Sequence, residues 1–256
     1  MNHLPERYRP EQLQMDNLTT EQWNALTQTG SYFVNEMVEY QELMMMYSCA
    51  IREVRTKLEV LNADLSMRYR RNPIEFISYR IKKPVSLLQK MKKRGLPLTV
   101  TAIEDNIFDV AGIRVICSFI DDIYAVAAML TSQDDVTLLE TKDYIKNPKP
   151  NGYRSLHLIL EIPVFFSDQT KRMKVEVQIR TIAMDFWASL EHQLKYKKNV
   201  SDEESIVAEL TACAETIAAT DQRMLNIRKH IEASSTDPTP EEELLEKLGH
   251  IQIPVI

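Results

Sequence analysis

The chain has 256 residues, of which 44% are hydrophobic and 27% charged, and it contains only 5 glycines and 11 prolines. This composition is ordinary for a globular protein and excludes a collagen-like, low-complexity or wholly disordered chain. The net charge of −6 argues against a general nucleic-acid binder, and the three scattered cysteines predict neither a disulfide framework nor a clustered zinc site.

The first segment, residues 1–30, is polar and aperiodic, and we predict an irregular arm there. It has no apolar core of the kind that a secretory signal contains. The longest purely apolar run, near residues 125–130, is far shorter than the roughly 20 residues of a membrane span. We therefore expect a cytoplasmic protein with no membrane partner and no nucleic-acid partner.

Two helices are predicted next along the chain. Apolar residues from Phe33 to Leu65 recur in alternating steps of four and three, which predicts a long amphipathic helix over residues 32–71. Asn72-Pro73 should end it. A second helix should begin near Pro84 and end at Gly95, because proline is favoured in a first turn and glycine after a last one.

The segment 68–94 is strongly basic. It holds ten basic side chains and one acid, giving +9, so the rest of the chain sums to −15. Such a run is either a solvated face or a site for a compact polyanion. The residues Lys82, Ser86, Lys90 and Arg94 follow one another at steps of four and should share one side of the second helix. Because like charges in such a row repel, the spacing favours phosphate binding.

Apolar runs between residues 112 and 181 predict the strands of a mixed α/β sheet with helices around it. The predicted strands are Gly112–Phe119, Thr137–Glu140, Tyr153–Phe166, with a possible break at Pro163, and Arg172–Thr181. Helices are predicted at about 122–132 and 181–197. The segment 199–233 is predicted to hold a further helix, which begins near Ser201 and has apolar residues at heptad spacing. The segment 234–256 should form a linker and an acidic tail. The two heptad helices could cover the sheet or pair between subunits.

Two carboxylates are candidates for a metal site. In KVEVQIRT, Lys174–Thr181, strand alternation puts Glu176, Gln178 and Arg180 on one face, which the helix after it would cover. A half-exposed strand gives the same pattern, but a covered polar face is costly unless it lines a site. Asp109 precedes another strand, although a turn aspartate would also explain it. Together the two acids offer oxygen ligands that suit Mg²⁺ between phosphates.

A basic loop, Lys142–His157, contains two prolines and an Asn-Gly turn. Tyr153, just after the turn, could stack on a base, although this loop taken by itself favours a hairpin with a solvent-edge tyrosine. The chain has no P-loop and no G-x-G-x-x-G, and its five histidines are scattered, which argues against a histidine-rich hydrolase centre.

Four blocks in this order resemble the synthetase domain of the RelA/SpoT family, in its single-domain branch, the small alarmone synthetases. The blocks are R-x-K-x-x-x-S from Arg80, DVAGIRV, KDYIKNPKPNGYRSLH and VEVQIRT followed by FWASLEHQLKYK. The resemblance covers about Ile74–Lys198, and we assign residues 31–198 to such a domain. It implies a nucleotidyltransferase-like fold, a homotetramer and GTP diphosphokinase activity. In that reaction the pyrophosphoryl group of ATP passes to the 3′-hydroxyl of GTP or GDP, giving AMP and the stringent-response alarmone (p)ppGpp.

The resemblance also implies roles for individual residues. Asp109 and Glu176 are the implied catalytic residues and Mg²⁺ ligands, and Glu176 would also help to deprotonate the 3′-hydroxyl. The implied ATP-binding residues are Arg80, Lys82, Ser86, Lys90, Lys93, Arg94 and Arg114, with Arg80 and Arg114 around adenine. The implied GTP- or GDP-binding residues are Lys142, Lys149, Asn151, Tyr153, His157 and Gln178, with Tyr153 stacked on guanine. Two alternatives stay open: the same fold with ATP or a tRNA 3′ end as acceptor, and a non-catalytic nucleotide-binding scaffold.

Overall fold

A mixed five-stranded sheet with helices around it dominates the computed structural model, which describes residues 19–68, 72–195 and 203–234. The chain divides into two units, Met1–Leu43 and Met44–Ile256. The elements are α1 (Thr20–Arg68), β1 (Ile74–Ile81), α2 (Pro84–Lys93), α3 (Val100–Asn106), β2 (Ala111–Cys117), α4 (Ile120–Thr131), β3 (Thr137–Asp143), β4 (Leu156–Phe165), β5 (Thr170–Thr181), α5 (Ile182–Lys195) and α6 (Glu203–Ser234). The predicted mixed α/β fold is confirmed.

Helix α1 is longer than predicted. It begins at Thr20, so the prediction of an irregular arm is wrong for residues 20–30, while residues 1–18 lie outside the described residues. A polar helical segment without an apolar stripe gives no periodic signal, which is why the sequence pattern missed it. Farther along, the predicted apolar seam is confirmed from Tyr47 onward, where Ile51 and Val54 are also buried, but not at Met37, which is 46% exposed.

The strand order is β1-β2-β5-β4-β3, and only β2 and β5 run parallel. The apolar face of β5 is confirmed, because Val175, Val177 and Ile179 are fully buried. On the other face the register aligns Arg80 with Gly112 and Gly112 with Glu176. The next row of that face consists of Arg114, Gln178 and His157. The sheet therefore gathers side chains from four strands on one polar surface.

Two elements were not predicted, the edge strand β1 and the short helix α3. The residues Ile77-Ser-Tyr-Arg-Ile81 of β1 do alternate between apolar and polar side chains, but only Ile74 of the strand is buried, as expected at a sheet edge. The possible break at Pro163 is absent, and β4 continues through it. Pro163 lies beyond Glu161, the last residue of β4 that pairs with β3, so β4 is an edge strand at that point and tolerates proline.

Helix α6 packs through only part of its predicted heptad seam, where Leu210 and Ile217 lie against the core cluster around Trp187. Ala214, Asp221 and Leu225 are buried, whereas Met224 and Ile227 of the predicted seam are more than half exposed. The helix contacts α5 and α4, and an ion pair joins its Arg228 to Asp121. The predicted helix start at Ser201 and the tail after residue 234 lie outside the described residues. Among those described, no helix is long and apolar enough to cross a bilayer.

A buried acid on α6 gives a stability prediction. The Asp221 carboxylate accepts a 2.5 Å hydrogen bond from the Thr181 hydroxyl, which in turn accepts a bond from the Met184 amide. Burial raises the pKa of Asp221, and the Thr181 bond lowers it by less. Because the pKa of the carboxyl group is higher in the folded protein than in the unfolded one, the group stabilises the fold at pH values below its unfolded-state pKa. This contribution is lost as pH rises through the folded-state pKa. Ionised Asp221 therefore destabilises the fold at pH 7.

Asp221→Asn keeps an acceptor for Thr181 without the charge, so we expect a higher melting temperature at pH 7. Each kcal/mol gained shifts the transition by about 2–4 °C in a chain of this size. The gain should shrink as pH falls towards 4, as measured by calorimetry. Glu215→Gln, at an exposed position of the same helix, is the matched control. A lower melting temperature for Asp221→Asn at pH 7 would contradict this interpretation.

Candidate active site

A polar cavity of about 760 Å³ lies over the polar face of the sheet, with part of α5 in its wall. Ten of the predicted site residues line it: Arg80, Asp109, Arg114, Lys142, Lys149, Asn151, Tyr153, His157, Glu176 and Gln178. The segment after β5 was predicted to cover this face, and its Ala188 and Glu191 are in the cavity wall. The sheet thus brings together residues that are up to 98 positions apart in the chain.

Asp109 stands just before β2 and is held by two lysines. Its Oδ2 is 2.9 Å from Lys82 Nζ and 2.8 Å from Lys90 Nζ, and all three side chains are largely buried. Burial acts to raise the pKa of Asp109, but hydrogen bonds and charge from Lys90 and Lys82 outweigh it, so the pKa lies below its usual value. The other carboxylate oxygen, Oδ1, is buried with no hydrogen-bond partner among the described residues. One oxygen of Asp109 is therefore available for a further ligand.

Glu176 lies on β5 in the same cavity, with both of its oxygens bonded. Oε1 is 3.1 Å from His157 Nδ1, and Oε2 accepts a 2.8 Å bond from Gln178 Nε2. Burial acts to raise the pKa of Glu176, but bonds from His157 and Gln178 hold it below its usual value despite the nearby charge of Asp109. Both acids are therefore ionised at neutral pH and close enough for their charges to interact.

The basic residues in and before α2 do not all point to the same place. Lys82, at the entry to the helix, and Lys90 converge on Asp109, as a shared side of the helix predicts. Ser86 and Lys93 are exposed. Arg94 turns away and donates a 2.6 Å bond to the Asn106 carbonyl of α3, so the structure does not bring it to the carboxylates.

Arg80 and Arg114 line both the large cavity and a smaller one of about 140 Å³ over β1, β2 and β5. Arg80 crosses Gly112, where a Cβ would lie 3.7 Å from Arg80 Cγ. Arg114 pairs with Asp185 of α5, Nη1 to Oδ1, at 3.1 Å. Two guanidinium groups therefore border one opening, a geometry that can hold a flat ring.

The predicted acceptor loop forms the opposite side of the cavity. Lys149 Nζ lies 4.6 Å from the ring centroids of both Tyr144 and Tyr153. Asn151 Nδ2 donates to Glu191 of α5 at 3.1 Å, and its Oδ1 accepts from the Tyr153 amide. Lys142 is exposed and pairs with Glu140. The loop thus presents an aromatic ring, an ammonium group and an amide next to the two acids.

The turn in this loop requires glycine and rests on α6. Gly152 has φ +85°, and a Cβ built there would come within 2.5 Å of Ala214 Cβ. The Arg154 guanidinium donates to the Ala214 carbonyl at 3.2 Å, and Trp187 Nε1 donates to the Leu210 carbonyl at 2.9 Å. Helix α6 therefore supports the acceptor side of the site from behind.

The sequence pattern did not assign a role to Arg180, although strand alternation had put it on the right face. It is only 4% exposed, and it bonds to Tyr153, Gln178 and Asp185. Tyr144 and Glu191 were also missed, because no local pattern marks them and only the folded chain brings them to the cavity.

The chain is similar to known proteins in both sequence and fold. A model of the region found in RelA / SpoT proteins matches residues 79–201. The GTP pyrophosphokinase YwaC of Bacillus subtilis is 40% identical over 196 residues, which are 77% of this chain and 93% of YwaC. The crystal structure of small alarmone synthetase 2 from Bacillus subtilis, at 40% identity, has a TM-score of 0.68 and covers 75% of this chain and 99% of its own. The crystal structure of small alarmone synthetase 1 from Bacillus subtilis, bound to its product pppGpp, has a TM-score of 0.70 at 35% identity. The match covers 75% of this chain and 97% of that one.

Proposed function

The chain belongs to the RelA/SpoT family, and from that premise we propose that it is a GTP pyrophosphokinase that makes (p)ppGpp. The donor would be ATP and the acceptor GTP or GDP, with AMP as the second product. The observation that carries the proposal is one cavity whose lining combines the carboxylates of Asp109 and Glu176 with arginine, lysine and tyrosine side chains. Phosphoryl-type transfer requires this kind of arrangement, because catalysis depends on aligning two polyphosphates and matching their charge.

On the donor side, we assign adenine to the opening between Arg80 and Arg114. A guanidinium plane stacks well on an aromatic base, which supports this assignment. Lys82 and Lys90 would receive the ATP phosphates, since both ammonium groups already lie beside Asp109, which lines the cavity. Ser86 and Lys93 could reach the phosphates from the exposed part of α2, whereas Arg94 would have to leave the Asn106 carbonyl.

On the acceptor side, guanine would stack on Tyr153, with Asn151 and Gln178 able to bond to its edge. Lys149 Nζ lies 4.6 Å and Arg180 Cζ 5.1 Å from the centroid of the Tyr153 ring, so these cations help to orient the ring before a base arrives. Lys149 and Lys142 could neutralise the acceptor phosphates. His157 fits direct acceptor contact less well, because both of its ring nitrogens bond within the protein.

A divalent ion fits the two acids. Mg²⁺ is commonly held by one or two carboxylates together with substrate phosphates. Asp109 offers the unbonded oxygen Oδ1, and Glu176 lines the same cavity, while no group of three metal-ligating side chains occurs among the described residues. We propose that Asp109 and Glu176 hold Mg²⁺ with the ATP phosphates, where it would offset the phosphate charge.

The transfer itself needs few covalent steps. The 3′-oxygen of the acceptor attacks the β-phosphorus of ATP, and the bond from that phosphorus to the oxygen bridging it to the α-phosphorus breaks. AMP leaves with the bridging oxygen. The Glu176 carboxylate can accept the 3′-hydroxyl proton, and it is ionised at neutral pH because its pKa is lowered. Lys82 and Lys90 are placed to balance the charge that develops on the donor.

The proposed reaction is tested by product identity. The protein is incubated with ATP, Mg²⁺ and labelled GDP, and the products are separated by ion-exchange chromatography. We expect a guanine nucleotide carrying a 3′-pyrophosphate and one AMP for each transfer. GTP, ATP and tRNA compete in parallel reactions, and transfer to ATP or to tRNA in preference to guanine nucleotides would replace the proposed acceptor. Nucleotide binding without any transfer would instead support a non-catalytic nucleotide-binding scaffold.

We also propose that the protein is a homotetramer and that it acts in the cytoplasm, where ATP and GTP are present. Apolar side chains such as Phe186, Ile227 and Ile231 are more than half exposed, and apolar surfaces of this kind commonly mark protein contacts. Light scattering on the purified protein should give a mass about four times the 29.7 kDa of one chain. A mass of one chain at micromolar concentration would contradict it.

A further inference from the structure

Five polar side chains in the cavity form a closed circuit of hydrogen bonds, in which two branches connect Arg180 to Glu176. The five residues are Arg180, Tyr153, His157, Gln178 and Glu176. One branch runs from Arg180 through Tyr153 and His157, with contacts of 2.6, 2.8 and 3.1 Å. The other runs from Arg180 through Gln178, with two contacts of 2.8 Å. The two branches end on different oxygens of the Glu176 carboxylate.

The donors and acceptors along this circuit can be assigned in only one consistent way for a neutral histidine. The Glu176 carboxylate only accepts, so His157 Nδ1 carries the ring proton and donates to Oε1, which leaves Nε2 as an acceptor. The Tyr153 hydroxyl therefore donates to Nε2, while its oxygen accepts from Arg180, whose guanidinium group only donates. Every bond therefore runs from the cation towards the carboxylate.

The Arg180 side chain, from which both branches start, is itself held in place by further bonds. Arg180 is 4% exposed, and it also bonds to Asp185 Oδ1 at 3.0 Å and to the Ser155 hydroxyl at 3.3 Å. His157 is 7% exposed and has a bonded partner at each ring nitrogen. A buried chain with such partners holds one geometry, because breaking any link leaves a polar group unpaired.

We propose that the Tyr153 hydroxyl and the His157 imidazole are positioning groups that hold the Glu176 carboxylate in its reactive orientation. This inference rests on the proposed function, because Glu176 is the acid assigned to the transfer. Tyr153 then has two separate tasks: its ring supports the acceptor base, and its hydroxyl fixes the acid through His157. A residue in contact with the acceptor base is thereby connected to the group that receives the 3′-proton.

Kinetics of four variants test the proposal. Tyr153→Phe keeps the ring, so we expect kcat to fall about 10- to 100-fold while KM for GDP changes less than about threefold. His157→Ala should lose about as much. The double variant should lose no more than the larger single loss, because the groups act as one unit. His157→Asn, which restores a donor near Nδ1, should recover most of the kcat lost in His157→Ala.

The matched control is Tyr40→Phe, whose hydroxyl has no hydrogen-bond partner among the described residues and which lines neither cavity, so it should keep wild-type kcat. Wild-type kcat in Tyr153→Phe, a change confined to KM, or losses that multiply in the double variant would each overturn the proposal.

A measurement on the unmodified protein is independent of how the variants fold. Nitrogen NMR of ¹⁵N-histidine-labelled protein should show His157 as the tautomer protonated on Nδ1. A proton on Nε2 would reverse the direction of the chain and overturn the proposal. The tautomer also separates two failures: a wild-type protein without transfer activity disproves the proposed function, whereas an active protein with the wrong tautomer disproves only the positioning role.

Discussion

Asp109→Asn is expected to lower pyrophosphoryl transfer by roughly 10³-fold or more, because it removes a metal-holding charge at the reacting phosphates. Asparagine has nearly the same size as aspartate, so packing around β2 should persist. What is lost is the negative charge between Lys82 and Lys90 and the affinity of the buried Oδ1 for a cation. The measurement is kcat for transfer from ATP to GDP, with melting temperature recorded for the same sample.

The same substitution has a defined effect on stability. The pKa of Asp109 is lowered, so its ion pairs stabilise the fold above the usual pKa, and this contribution is lost as pH falls through the lowered value. Asp109→Asn should therefore lower the melting temperature modestly at pH 7 and have a smaller effect in acid.

Asp105→Asn, at an exposed position on α3, is the control and should change neither quantity. An active Asp109→Asn protein would remove Asp109 from the reaction. A protein that no longer folds would make Asp109 a structural residue.

Glu176→Gln should be nearly as damaging, with kcat lower by roughly 10³-fold, because an amide can neither accept the 3′-proton nor hold a divalent ion well. His157 can still donate to the amide oxygen and hold the side chain near its place, although the bond from Gln178 Nε2 is lost because the new NH2 group is itself a donor. Binding of ATP through Arg80 and Lys82 should persist, and KM for ATP should change much less than kcat.

The control for Glu176→Gln is Glu161→Gln on the neighbouring strand β4, where the carboxylate pairs with Arg172 outside the cavity. It should keep wild-type transfer. If Glu176→Gln loses affinity for ATP while kcat is retained, the acid contributes to donor binding only, and the assignment of the proton to Glu176 is wrong.

Strand alternation predicted the site more accurately than any other signal. In KVEVQIRT the period of two separated Val177 from Glu176 and Gln178, and the register of β5 with β2 then brought Glu176 level with Gly112. The four-residue spacing of α2 likewise predicted that Lys82 and Lys90 share one side. It failed at Arg94, because the helix ends at Lys93 and the next residue bonds to α3 instead.

What the sequence could not show was the bonding among residues that are distant in the chain. Arg180 became the centre of a network because Asp185 and the loop residue Tyr153 fold over it, and neither contact follows from strand periodicity. His157 was assigned to the acceptor, yet both of its nitrogens bond to protein groups. The edge strand β1 was missed although Ile77, Tyr79 and Ile81 alternate with polar residues.

Whether the two acids hold one ion can be measured directly by titrating the protein with Mn²⁺ beside a non-hydrolysable ATP analogue and following free Mn²⁺ by electron paramagnetic resonance. The wild-type protein should bind the ion more tightly than the analogue alone does. Asp109→Asn and Glu176→Gln should each weaken that affinity by about 10-fold or more, since even residues behind metal ligands cost this much when changed. Wild-type affinity in either variant would show that the two carboxylates do not share an ion, and would contradict the proposed active site.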